Sequence, residues 1–261
     1  MFSFAKGARA VTAALLTAPA VVAAQGSPPS QSATAAPTPP MTVIKVDGRQ
    51  LRAGAWRYSM QATGSGQTQA LSRELTVAQT TLNGAAAWLV ADSKHNGPMP
   101  VTDSLYLTRN DLTPLRHSLH MGDLSMLVNY AGDSVFGQAT VPQGSAKIAA
   151  QNVRGSMATG TMFEVYLRTM PLQTGWKANM AMSAVGPQGN LIIPMSLEVT
   201  GEETVTVPAG TFPCYVVTIV GQGTEQRAWV SKTTRDIVKV SASFTQPAAA
   251  SVESVLISKR P

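Results

Sequence analysis

The chain of 261 residues holds a single cysteine, Cys214, so no intramolecular disulfide can form. Set between Pro213 and Tyr215 in an apolar, strand-like run, that thiol is expected to be packed and inert rather than nucleophilic. Histidine is nearly as scarce: His95, His117 and His120 are the three. His117 and His120 stand three apart, which in a strand puts them on opposite faces. There is no His-Glu-x-x-His string and no cysteine pair, so the residues suggest neither a metal site nor a cofactor. Charged residues make up only 13% of the chain. No block of five basic residues occurs, and basic and aromatic residues do not interleave, which argues against nucleic acid as a partner.

Carboxylates are too few to make an obvious acid–base pair. Glu202 and Glu203 are adjacent, so in a strand they point apart. Asp92 and Asp103 flank a loop carrying His95, and these three residues form the only catalytic corner that can be assembled, that of an envelope hydrolase. Gly132-Asp133-Ser134 looks like a lipase nucleophile block, but it lies between two short strand-like runs and a hairpin turn accounts for it. No Gly-x-Ser-x-Gly elbow and no phosphate-cradling loop appear.

What is present begins with an address. Lys6 and Arg9 precede an apolar run, and Val22-Ala23-Ala24 satisfies a small-x-small cleavage rule before Gln25. Residues 1–24 therefore read as a secretory signal peptide, with no twin-arginine pair. No cysteine follows the cleavage point to carry a lipid anchor, and no further stretch is long and apolar enough to span a membrane. Residues 25–42 are rich in Pro, Ser, Thr and Ala and read as a disordered leader. The rest, 43–261, is long enough for one large domain with its own core. The address is the periplasm.

In that domain short runs alternate apolar and polar residues between turn signals. Trp56, Tyr58 and Met60 share one parity; Leu71, Arg73, Leu75 and Val77 share another. Asn83-Gly84 is a hairpin signal, and Val207-Pro208-Ala209-Gly210 is a tight turn. Around Cys214 both parities are apolar, as in a strand covered on two faces. Phe212–Val220, Gln226–Ser231 and Ile237–Phe244 are the clearest strands. One segment departs from this rhythm. Phe163, Tyr166, Leu167 and Met170 recur at helical spacing, with Glu164 and Arg168 as an i,i+4 pair, and Pro171 ends the pattern. The spacing predicts a short amphipathic helix near 160–170.

The layout repeats about that helix. Gly54-Ala55-Trp56 is matched by Gly175-Trp176, Leu105-Tyr106-Leu107 by Ala228-Trp229-Val230, and Arg109-Asn110-Asp111 by Thr234-Arg235-Asp236. Two similar halves, about 50–155 and 172–258, are expected. The fold class is all-β: a curved antiparallel sheet, a half-barrel or barrel, with one central helix filling or lidding its concave face.

The strings VPAGTFPCYVV, RAWVSKTTRDIVK, MPLQTG and DSLYLTRNDLTPLRH, in their order along residues 50–258, resemble a family of exported bacterial proteins of unknown function. That resemblance implies a periplasmic antiparallel β fold and brings no catalytic residues with it. The architecture is also similar to the half-barrel of lipoprotein-carrier proteins, in which a sheet wraps a helix and holds acyl chains.

Methionine is plentiful, at 12 residues. Met121, Met126, Met157, Met162, Met170, Met180, Met182 and Met195 lie near the middle of the chain, and such residues fill irregular space or line permissive apolar grooves. The expectation is a non-catalytic protein, with an envelope hydrolase using His95 and Asp92 or Asp103, or a purely structural envelope scaffold, as the alternatives. An apolar or lipid-like ligand, or an envelope partner, would meet the concave face at Met162, Phe163, Tyr166, Leu167, Met170 and Trp176.

Overall fold

A computed structural model describes residues 44, 46–97, 99–151, 156–158, 161–186, 189–221, 223–245 and 249–261. The signal peptide and leader read at 1–42 lie outside the described residues.

Alternating patterns become strands as expected. A single turn of 3-10 helix (Gly48–Gln50) precedes a meander of β1 (Gly54–Gly64), β2 (Gln67–Leu82), β3 (Ala85–His95), β4 (Val101–Thr108), β5 (Pro114–Met121), β6 (Leu124–Ala131), β7 (Ser134–Val141) and β8 (Gly144–Gln151). A three-residue strand, β9 (Ser156–Ala158), leads to helix α1 (Thr161–Thr169). A second meander follows: β10 (Lys177–Gly186), β11 (Gly189–Val207), β12 (Gly210–Gly221), β13 (Thr224–Ser231), β14 (Ile237–Phe244) and β15 (Ala250–Arg260).

One sheet holds all of them, in the order β8 down to β1, then β15 down to β9. Pairing is antiparallel except for β9 on β10. The seam between the halves is β1 on β15, with Tyr58 opposite Leu256 and Met60 opposite Ser254. Hydrogen bonds do not close the ring, but the sheet curls until β8 comes within 8 Å of β10 and β11.

The two halves are visible as a tandem repeat. The starts of β1 to β6 recur at a near-constant shift as the starts of β10 to β15. Matching side chains do matching work: Arg109 lies 4.1 Å from the Trp88 ring centroid and Arg235 lies 5.7 Å from that of Tyr215. The β7–β8 hairpin has no counterpart in the second half.

Turn chemistry follows the sequence. Asn83 (φ 52°) and Gly84 (φ 81°) supply the left-handed pair that a two-residue hairpin needs between β2 and β3. The β11–β12 hairpin turns at Pro208 and Ala209, where the Ala209 N–H donates to the Leu256 carbonyl (3.3 Å). Its end thus folds back over β15. That return covers the second face of β12, so Cys214 and Val216 are buried on one side and Val217 and Ile219 on the other. Burial, and then the charge of Glu203, push the Cys214 thiol up to about 11, which agrees with the inert thiol expected.

Tight curvature is permitted at one glycine. A Cβ on Gly137 would overlap the Leu127 carbonyl oxygen and lie 2.7 Å from the Val128 Cα. Backbone cannot yield as a side-chain tip does. Gly137→Ala is therefore expected to cost about 1–3 kcal/mol, read from urea unfolding.

Candidate functional site

α1 lies inside the sheet. Each side chain from Met162 to Met170 is buried, polar ones included. The helical spacing suggested an apolar stripe with Glu164 and Arg168 on another face. That other face is also covered, because the sheet wraps the whole helix. Met162, Val165 and Leu167 have 0% exposure, so no space as large as a water molecule touches them. Phe163, Tyr166 and Met170 join the same core with Trp56, Leu75, Trp88, Leu105, Leu197 and Val240. Trp176 is half-buried and packs against its edge. Among the described residues the concave face is filled by α1.

The ends of α1 are fastened by polar contacts. Tyr166 Oη donates to the Leu112 carbonyl (2.7 Å), and the Met170 N–H donates to the Tyr166 carbonyl (3.0 Å). Pro171 stops the helix as expected, and Leu172 turns back to bond the Met170 carbonyl.

Two buried charge clusters hold α1, and they meet at Tyr58, which pairs with Arg73 across β1 and β2 and has the guanidinium 5.4 Å from its ring centroid. In the first half, Arg73 donates through Nε to Asp92 (2.8 Å) and through Nη1 to Glu164 of α1 (2.6 Å). Lys94 Nζ completes it by donating to Asp92 (2.7 Å). Burial alone would raise the pKa of Asp92, but Arg73 and Lys94 outweigh it and hold the carboxyl well below the usual carboxylate range. Beyond Tyr58, Arg168 of α1 stacks 4.0 Å from the Trp56 ring centroid. Its Nη2 reaches Tyr58 Oη (3.3 Å), and Nη1 lies 4.0 Å from Asp236. Asp236 also accepts from Trp56 Nε1 (2.7 Å) and Lys259 Nζ (2.8 Å). Glu164 and Arg168, spaced as a surface pair would be, instead bond to side chains of the adjacent strands β2 and β1, Arg73 and Tyr58. Each keeps one atom without a hydrogen-bond partner among the described residues, Glu164 Oε2 and Arg168 Nε.

The catalytic corner is not assembled. His95 is the last residue of β3, paired with Ser72, and not a loop residue. It is exposed and three residues from Asp92, so the two side chains face opposite sides of the sheet. Asp92 is held by Arg73 and Lys94, and Asp103 by His117 Nε2 (2.7 Å). His117 points inward and His120 outward, the opposite faces expected.

The methionines do not form one groove. Met162, Met170, Met180 and Met195 belong to the main core, with Met182 packed on it. Met126 sits in a separate cluster with Val128 and Ile148, and Met121 borders a third. β9 sets Met157 opposite Met182 in register. Among the described residues no group of three His, Cys, Asp or Glu is placed to hold a metal ion, and no helix is long and apolar enough to cross a membrane.

Known proteins place this architecture. A solved β-barrel-like protein of the domain of unknown function DUF1849, from Brucella abortus, superposes with a TM-score of 0.51. It covers 83% of this chain and 98% of its own at 6% identity, a likeness of fold alone. No curated protein matches the chain. The profile of DUF3108, described as a protein of unknown function, matches residues 45–246, and the chain belongs to that family.

Proposed function

We propose that this is a non-catalytic binding protein of the cell envelope, whose concave face takes an apolar or lipid-like ligand into the space that α1 fills. Residues 1–24, read as an export signal, would deliver it to the periplasm. The observation that carries the reading is how α1 is held. A helix that served only as core would be tied by apolar packing, since well-packed apolar residues are often as stabilising as a buried ion pair, or more so. Here α1 has that packing but is also tied by Glu164 and Arg168, each with a polar atom that has no partner among the described residues, Glu164 Oε2 and Arg168 Nε. Unmet buried valences raise the free energy of the closed state. An acyl chain that replaced Phe163, Tyr166, Leu167, Met162 and Met170 against the sheet would return both charges to water. On this reading α1 is a displaceable plug, and Trp176 borders the space it leaves.

The test pairs titration with N-phenyl-1-naphthylamine, an apolar fluorescent probe, with hydrogen exchange over residues 161–170. Saturable probe binding, with faster exchange in α1, is expected. Binding absent up to millimolar probe, or binding that leaves α1 as protected as before, overturns the proposal.

A further inference from the structure

The strands β5 to β8 carry a second feature, on the face away from α1. Register sets Leu127 beside Ser118 and Gln138, and Phe136 beside Asn129 and Ala149, all pointing outward. Leu127 is 48% and Phe136 50% exposed, high for large apolar side chains. Between them runs an open groove of about 780 Å³, which also takes in His120 and Lys147 and has Met126 and Ile148 in its floor. The β7–β8 hairpin that builds one wall is the part absent from the second half.

Charge in the groove has one sign. The outward positions of β5 to β8 include Arg116, His120 and Lys147 but no Asp or Glu. Arg116 is held toward the groove wall by donating from Nε to Asn129 Oδ1 (3.0 Å), a neutral partner that leaves its charge unbalanced. The nearest acids in sequence, Asp111, Asp123 and Asp133, sit in the turns between strands. Apolar surface beside unbalanced cations suits a molecule with an apolar chain and an anionic end.

We infer that this outer groove binds a single-chain anionic amphiphile. The acyl chain lies along Leu127 and Phe136, and the carboxylate lies toward Lys147. The site is distinct from the face that α1 fills, so the two stand or fall separately.

Calorimetry with dodecanoate below its micelle concentration tests it, with dodecanol and dodecyltrimethylammonium as neutral and cationic counterparts. Dodecanoate is expected to bind most tightly. Phe136→Ser should weaken both dodecanoate and dodecanol about tenfold, the loss expected for an exposed apolar contact. Lys147→Glu should weaken dodecanoate about tenfold and leave dodecanol unchanged. Both residues are at the surface, and circular dichroism will show whether the variants stay folded. The inference is overturned if the three amphiphiles bind alike, if neither variant changes the affinity, or if the protein ignores monomers and binds only anionic vesicles. Dodecanoate binding that is indifferent to Phe136→Ser but quickens exchange in α1 also overturns it, while leaving the concave-face reading in place.

Discussion

Asp92→Asn is expected to destabilise the protein by about 3–5 kcal/mol, because it leaves Arg73 and Lys94 buried with one carboxylate fewer. Both cations are 2–3% exposed and have no water to turn to. Among the described residues the ion pair of Glu164 is with Arg73, at 2.6 Å, and not with Lys94. The same cluster gives the protein an acid limit. The native pKa of Asp92 lies below its unfolded value of about 3.9, so its contribution is complete above that pH and is lost as pH falls toward the native value. Asp236 is shifted in the same direction, with Lys259, Thr234 and Arg168 overcoming the effect of burial. Urea midpoints should hold steady from pH 7 to about 4 and fall below that. In Asp92→Asn the fall should be shallower, starting from a lower midpoint. Equal slopes in the two proteins would show that Asp92 does not govern acid stability.

Leu167→Ala should cost about 2–5 kcal/mol, and the position in that range reports how far the barrel can close around the gap. Leu167 has no accessible surface, and the core cluster it belongs to draws on strands of both halves. A wall of strands hydrogen-bonded to one another collapses poorly, so a value toward the upper end is expected. The gap should be dry and lined by carbon, and should take up xenon or benzene. Thermal unfolding in saturating benzene should then recover part of the loss in this variant and none in the wild type. A small cost with no benzene effect would mean that α1 resettles freely in the barrel.

The strands were legible because each obeys a local rule. Trp56, Tyr58 and Met60 alternate with polar neighbours, Asn83-Gly84 can make only a few turns, and both faces of the Cys214 run are apolar. The repeat was legible for the same reason, since its matches are turns and aromatic positions. α1 was found by its spacing and by Pro171, but its surroundings were not. Glu164 and Arg168 are four apart, which on an isolated helix means a pair bonding each other in water. Their partners, Arg73 and Asp236, stand far off in the chain, and no periodicity connects them. One signal did exist. Arg73 shares a parity with Leu71, Leu75 and Val77, and a cation on a core face requires a buried anion. His95 was misread as a loop residue, whereas β3 runs to His95 itself. Phe136 and Leu127 went unremarked, since nothing in their spacing separates an outward apolar residue from an inward one.

The seam between β1 and β15 has a consequence for how the chain comes to rest. Trp56 is bonded to Asp236, and Tyr58 to the Ile237 carbonyl, across some 180 residues. Contacts so remote form late, after the entropy of a long loop has been overcome. A molecule threaded through a membrane amino-terminus first would have to wait, with a raw edge on β1, until almost its last strand arrived. For that interval the exposed backbone of β1 would be open to any passing strand. Whatever guards it then is a requirement of this topology, quite apart from what the finished barrel binds.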